Sequence, residues 1–166
     1  AFQQYGIVPD ILLLAKAFGG GMPLGAFVTS SSIMSTLSYN PVLGHITTFG
    51  GHPVSCAAAL AALNQISDVQ FLQSVQQNIQ YLGKKLNDAS LQPFRQAGML
   101  LALDTKSPSA LHEVVDYCIH NGVLVDWFLF HPTAIRLAPP LNISNEEIDF
   151  AVSVLSEAFE KFSARM

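Results

Sequence analysis

The stretch PDILLLAKAFGGGMPLGA, residues Pro9–Ala26, carries the strongest structural signal in this sequence. It opens with a short run of isoleucine and leucine after a Pro-Asp pair, which predicts a buried strand over Pro9–Leu14. A single lysine, Lys16, follows this run, and three consecutive glycines precede a second apolar stretch, Ala26–Thr29. The pattern predicts a strand that ends in a glycine-rich turn beside Lys16.

The glycines match neither of two common phosphate-binding motifs. A Walker A loop requires Lys and Ser or Thr after its last glycine, but Ala26 and Phe27 follow Gly25. A dinucleotide-binding fingerprint that begins at Gly19 requires a glycine where Leu24 stands. The residues alone therefore indicate a turn and leave its chemistry open.

Lys16 has two interpretations on spacing alone. A lysine at the end of a buried strand loses solvation, which lowers the pKa of its amine and favours the neutral nucleophile that attacks carbonyl compounds. The structural alternative is a lysine whose ammonium group reaches solvent from the end of a strand. The spacing does not decide between them.

The pattern along the chain predicts two different halves. The first contains the strand, a long loop with a short helix near residues 32–37, and two helices over 53–66 and 69–87. After Ser90, we expect a small α+β unit, with strands at 98–104, 123–126 and 134–137, a helix over 109–121, and a last helix over 146–164. Ser144 and Glu147 form the capping-box signature before that last helix.

Composition excludes several classes of protein. Half of the residues are hydrophobic and 12% are charged, so the chain has ample apolar surface to bury and is not intrinsically disordered. The formal net charge is −4, without a cluster of basic residues, which argues against a nucleic-acid partner. The apolar runs fall far short of the roughly 20 residues of a membrane helix. Two cysteines without a CxxC motif favour a reducing compartment, and we expect a cytoplasmic protein.

Three blocks of the sequence resemble the class III aminotransferases, which are pyridoxal-phosphate enzymes of fold type I. The first is Pro9–Ala26, the second is Thr47–Leu60, and the third is Ile135–Leu141 with the following Glu146–Asp149. The family includes acetylornithine, ornithine and 4-aminobutyrate aminotransferases. The blocks occur in the order of the family and extend over nearly the whole chain.

The resemblance implies an α/β fold made of part of a large domain and a small α+β domain. We expect residues 1–88 to be the C-terminal part of the large, cofactor-binding domain and residues 89–166 to be the small domain. The family's acidic residue for the pyridine nitrogen and its Gly-Thr phosphate loop precede the region represented here. We therefore expect a C-terminal portion that is inactive alone, from an enzyme that works as a homodimer when intact.

The resemblance also implies roles for three residues. Lys16 would bind pyridoxal phosphate covalently and then transfer protons, and Thr48 would donate a hydrogen bond to the cofactor phosphate, usually across the dimer interface. Arg136 would bind the α-carboxylate of the substrate through its planar guanidinium. His52 stands where the family usually has Asn, and we assign it no role. The histidines have no spacing typical of a metal site, so we expect none.

Three functions remain open at this stage. The blocks around Thr48 and Arg136 favour transfer of an amino group from ornithine, acetylornithine or another ω-amino acid to a 2-oxo acid. Racemases, decarboxylases and aminomutases share the scaffold and are the second possibility. The third is a non-catalytic module that retains the fold, and the presence of both Lys16 and Arg136 argues against it.

Overall fold

The computed structural model describes residues 2–91 and 93–163 and has a mixed α/β architecture. It divides into two compact units, Ala1–Phe71 and Leu72–Met166. The predicted division at residues 88/89 concerns the domains of the family and stays a prediction. We describe each unit separately.

The first unit begins with an antiparallel pair of short strands. Strand β1 (Ile11–Leu14) pairs with β2 (Ala26–Thr29), with Ile11 opposite Thr29 and Leu14 opposite Ala26. The Thr29 hydroxyl donates a 2.7 Å hydrogen bond to the Asp10 carbonyl and closes the open end of the pair. The prediction that β1 is buried is wrong, because two of its four residues are exposed and Leu13 is 77% exposed.

The rest of the first unit is helical, apart from a long exposed loop. A short helix α1 (Ser31–Met34), capped by the Ser30 side chain, continues as a 3-10 turn over Ser35–Ser38. Residues 38–54 are all exposed, and helix α2 (Pro53–Ser67) begins at the end of this segment. Its start at Pro53 agrees with the sequence, since proline at a first-turn position costs the helix no hydrogen bond.

The second unit is a four-stranded antiparallel sheet with three helices. Its strands are β3 (Phe94–Ala97), β4 (Leu100–Asp104), β5 (Asp126–Phe128) and β6 (His131–Leu137), in the spatial order β3-β4-β6-β5. The helices are α3 (Val69–Asp88), which starts in the first unit, α4 (Pro108–His120) and α5 (Asn145–Ala158), followed by a π-helical turn over Phe159–Ser163.

The hydrophobic core of the described chain lies mainly in this second unit. Large side chains from the central strands and from all three helices are almost fully buried: Leu86, Leu101, Leu103, Leu111, Val114, Cys118, Ile135, Ile148 and Leu155. Helix α4 contacts both β6 and α5. Burial also raises the pKa of the Cys118 thiol to about 11, so this cysteine packs as a small hydrophobic residue.

Two strand predictions differ from the structure. Strand β3 was not expected, and β5 lies over Asp126–Phe128 instead of residues 123–126. The Val123 N–H donates a 2.9 Å hydrogen bond to the Cys118 carbonyl, so this residue completes the end of α4 and does not enter the sheet. Across the described residues, no helix is long and apolar enough to cross a membrane.

Candidate active site

Lys16 occupies an unusual backbone position directly after β1. Its φ is +56°, in the left-handed region that residues other than glycine rarely adopt. Residues Lys16–Gly19 form one 3-10 turn, and we call Lys16–Gly20 the Lys16 turn. The Phe18 N–H donates to the Ala15 carbonyl at 3.1 Å and the Gly20 N–H to the Ala17 carbonyl at 3.0 Å.

The Lys16 amine is open to solvent. Lys16 is exposed, and no carboxylate of the described residues forms an ion pair with it. Within the described residues, Lys16 therefore does not follow a buried strand. The structure does provide an accessible primary amine on a backbone that hydrogen bonds hold in a defined turn.

Helix α2 supports the Lys16 turn from one side. The turn contacts this helix, and Gly20 lies so close to it that a Cβ atom at Gly20 would be 2.4 Å from the Ala58 carbonyl oxygen. The alanine-rich composition of α2 predicts this close packing, because small side chains let two backbones approach. Gly20 itself was not singled out by the sequence, since any of the three consecutive glycines is compatible with a turn.

Thr48 lies in the exposed loop that leads into the same helix. The Gly50 N–H donates to the Thr47 carbonyl at 3.3 Å, and the His52 N–H donates to the Phe49 carbonyl at 3.2 Å. The Thr48 hydroxyl makes no hydrogen bond within residues 2–91 and 93–163, and the residue is exposed. Its hydroxyl is thus available to an external acceptor.

His52 precedes helix α2 without capping it through its side chain. It occupies the N-cap position, and its ring meets that of Phe49 edge-on, with 6.3 Å between the ring centroids. Asn is one of the preferred N-cap residues, because its side-chain oxygen accepts from the first turn of a helix. With His at this position, the helix therefore has an aromatic contact to Phe49 and no side-chain cap.

Arg136 lies on β6, in the second unit, and is already paired. Its guanidinium donates a hydrogen bond to the Asp126 carboxylate, directly across the β5–β6 pair. The other Asp126 carboxylate oxygen accepts from the Trp127 N–H at 2.8 Å. No sequence signal marked Asp126 as the partner of Arg136, because the pairing depends on where β5 starts.

A second arginine–aspartate pair lies on the neighbouring strands of the same sheet. Arg95 donates two hydrogen bonds to Asp104, at 2.5 and 2.9 Å. The Arg95 guanidinium holds the pKa of the Asp104 carboxyl below its usual value, and the His131 imidazole lies 3.9 Å from the same carboxylate. Cross-strand arginine–aspartate pairing is thus a repeated feature of this sheet. No group of three His, Cys, Asp or Glu side chains among the described residues is placed to hold a metal ion.

Comparison with known proteins identifies the class to which this fold and these residues belong. The family model described as aminotransferase class-III matches residues 1–159. The chain belongs to the class III aminotransferases, which are pyridoxal-phosphate-dependent enzymes. The expectations of family and fold class from the sequence are therefore confirmed.

Individual relatives agree with this assignment. The chain is 35% identical over 159 residues to an acetylornithine aminotransferase from Methanosarcina mazei, with 94% of this chain and 38% of the relative covered. It is 33% identical over 174 residues to a putrescine aminotransferase from Pectobacterium atrosepticum, with coverage of 100% and 37%. The chain thus spans about two fifths of the length of these relatives.

A solved structure shows the same architecture. An (S)-enantioselective omega-transaminase from Thermomicrobium roseum superposes with a TM-score of 0.82 at 28% sequence identity. The match covers 97% of this chain and 39% of that enzyme. The fold of the described chain is therefore that of a corresponding part of a transaminase.

Proposed function

We propose that this chain is part of an aminotransferase that moves an amino group from ornithine, acetylornithine or another ω-amino acid to a 2-oxo acid. The observation that carries the proposal is the Lys16 turn, which presents an exposed amine from a left-handed backbone position. This turn lies in the Pro9–Ala26 block, within the region that matches the family. The relatives named above act on acetylornithine and putrescine, both of which carry a terminal amino group.

The available side chains fit pyridoxal phosphate in their chemistry. A primary amine such as that of Lys16 condenses with an aldehyde, and a hydroxyl such as that of Thr48 donates a hydrogen bond to a phosphate. When bound, this cofactor supplies an electron sink that stabilises negative charge on the substrate carbon. In this proposal, Lys16 holds the cofactor and then accepts and returns a proton through its Nζ atom.

Arg136 binds the substrate carboxylate in this proposal. A guanidinium group offers two parallel N–H donors, which match the two oxygens of a carboxylate. In the family's arrangement, residues 1–88 are the end of the large domain and residues 89–166 are the small domain. The intact enzyme is proposed to be a homodimer, in which the partner subunit uses the Thr48 hydroxyl.

Titration of the intact homodimer with the cofactor tests the role of Thr48, because the hydroxyl is proposed to act across the dimer interface. We expect pyridoxal phosphate to produce a visible absorbance band that Lys16→Ala abolishes. The Thr48→Val substitution should weaken binding of pyridoxal phosphate by about tenfold, since a hydrogen bond to a charged group contributes roughly 1.5–3 kcal/mol. Binding of pyridoxal, which lacks the phosphate, should remain within about twofold.

The neighbouring threonine provides the matched control. Thr47 lies in the same exposed loop, and Thr47→Val removes an identical hydroxyl one residue earlier. The role of Thr48 is wrong if Thr47→Val and Thr48→Val weaken binding of pyridoxal phosphate equally. It is also wrong if Thr48→Val weakens binding of pyridoxal as much as binding of pyridoxal phosphate.

A further inference from the structure

The contact between Gly20 and helix α2 has a geometry that depends on the absence of a side chain. A Cβ atom at Gly20 would lie 2.4 Å from the Ala58 carbonyl oxygen, 2.8 Å from the Ala58 carbonyl carbon and 3.2 Å from the Ala62 Cβ atom. Distances below 3.0 Å to backbone atoms cannot be relieved by rotation of a side chain. Any larger residue at position 20 must therefore move the Lys16 turn away from the helix.

The same contact bears on the backbone conformation of Lys16. Lys16 has a φ of +56°, which costs free energy in a residue with a Cβ atom and persists only where surrounding structure holds it. Two hydrogen bonds within the turn, the contacts of Lys16–Gly19 with α2 and the packing of Gly20 on the same helix hold it. Of the two glycines in the Lys16 turn, Gly20 is the one at which a Cβ atom would collide with the helix backbone.

We infer that Gly20 is a positioning residue for Lys16, because it lets the Lys16 turn pack directly on the backbone of helix α2. This inference rests on the proposed role of Lys16 as the lysine that binds the cofactor. The packing fixes the direction in which the amine leaves the turn, and a nucleophile must be held in a narrow range of positions to react efficiently. Gly20 itself touches neither substrate nor cofactor in this account.

The chain contains a close control for this role at the next residue. Gly21 also has a positive φ, of +91°, but no atom lies within 4 Å of the Cβ position at Gly21. Gly20→Ala and Gly21→Ala therefore both place a side chain on a left-handed backbone, and only Gly20→Ala collides with α2. The difference between the two variants therefore measures the effect of the collision with α2 separately from the effect of backbone strain.

The experiment measures two properties of each variant. Hydrogen exchange of the Gly20 and Met22 amides reports whether the turn remains closed, since these amides donate to Ala17 and Gly19. Borohydride reduction in the presence of pyridoxal phosphate, followed by peptide mass spectrometry, reports the labelling of Lys16 relative to the exposed Lys84. The pH profile of this ratio shows whether the reactivity of the Lys16 amine has changed.

We expect Gly20→Ala to speed exchange at residue 20 and at Met22 by at least tenfold and to lower the Lys16:Lys84 labelling ratio by about tenfold. Gly21→Ala should change both quantities by clearly less than Gly20→Ala does, because it adds only the strain of a side chain at positive φ. If Gly20→Ala and Gly21→Ala behave alike, the positioning role is wrong. If Lys16 of the unsubstituted intact enzyme is labelled no faster than Lys84, the proposed cofactor role fails, and the exchange data still decide whether Gly20 holds the turn.

A second pair of variants addresses the contact from the side of the helix, should Gly20→Ala fail to fold. Ala62→Val enlarges the side chain that faces Gly20, whereas Ala61→Val adds the same methyl groups at an exposed position of α2. The two changes have the same intrinsic helix cost. We expect only Ala62→Val to speed exchange in the turn and lower Lys16 labelling, and equal effects would overturn the inference.

Discussion

At the scale of single residues, the pairing of Arg136 with Asp126 affects how a substrate would bind. Arg136 faces Asp126 across the β5–β6 pair, and the same carboxylate also accepts from the Trp127 N–H. Both side chains of the pair are partly exposed, so solvent weakens their attraction. A substrate carboxylate that binds Arg136 must therefore share the guanidinium with Asp126 or displace it.

This competition predicts the effect of removing the Asp126 charge. Asp126→Asn should tighten the binding of 2-oxoglutarate to Arg136 by about two- to fivefold, since an exposed ion pair contributes roughly 0.2–1 kcal/mol. The Arg136 side-chain N–H resonances followed by nuclear magnetic resonance measure this affinity. Asp116→Asn removes an equal charge from the exposed surface of α4 and serves as the control. Equal affinities of the two variants for 2-oxoglutarate would contradict competition between Asp126 and the substrate for Arg136.

At the scale of elements, local sequence signals predicted the helices better than the strands. Pro53 and Ser144 mark the starts of α2 and α5, and each signal acts through the first helical turn itself. Strand β3 has no comparable signal, because Arg95 and Gln96 interrupt its apolar pattern and its pairing with β4 forms only in the folded sheet. Strand β5 begins three residues later than the sequence predicts, because Val123 completes the preceding helix.

The capping box of α5 gives a quantitative prediction at this scale. The Glu147 N–H donates to the Ser144 hydroxyl at 3.2 Å, and the Ser144 N–H donates to the Glu147 carboxylate at 2.8 Å. Ser144→Ala should lower the free energy of unfolding by about 0.5–2 kcal/mol, because the helix loses an N-cap acceptor. Urea denaturation followed by circular dichroism measures the change.

A serine in the interior of the same helix is the control for this prediction. Ser153 donates to the Phe150 carbonyl within α5 and is exposed, so Ser153→Ala should change stability by less than about 0.5 kcal/mol. The Ser144 N–H also lowers the pKa of Glu147, so stabilisation by this carboxylate is present at neutral pH and is lost as the pH falls through its folded pKa. Equal effects of both alanine substitutions would refute the capping account.

At the scale of the whole molecule, the sequence predicts candidate site residues but not their surroundings. Motifs specific to the family pointed to Lys16, Thr48 and Arg136, because each chemistry requires a particular side chain. The exposure of Lys16, the backbone contact of Gly20 and the Asp126 partner depend on tertiary packing, which no motif encodes. Lys16 and Thr48 belong to the first unit and Arg136 to the second.

The activity of the isolated chain follows from how much of an aminotransferase it represents. It spans about two fifths of the length of its relatives. We predict that the 166-residue chain, supplied with pyridoxal phosphate, ornithine and 2-oxoglutarate, produces glutamate no faster than free cofactor does. Turnover in the enzymatic range, about 1–10³ per second, would contradict this prediction.

The most direct test of the account is to map which lysine carries the cofactor. The intact enzyme is incubated with pyridoxal phosphate, reduced with borohydride and digested, and each lysine-containing peptide is then quantified by mass spectrometry. We predict that Lys16 is labelled well ahead of Lys84 and Lys106, which are also exposed to solvent. Labelling spread evenly over these lysines, or unchanged in total when Lys16 is replaced by alanine, would contradict the assignment of Lys16 as the cofactor lysine.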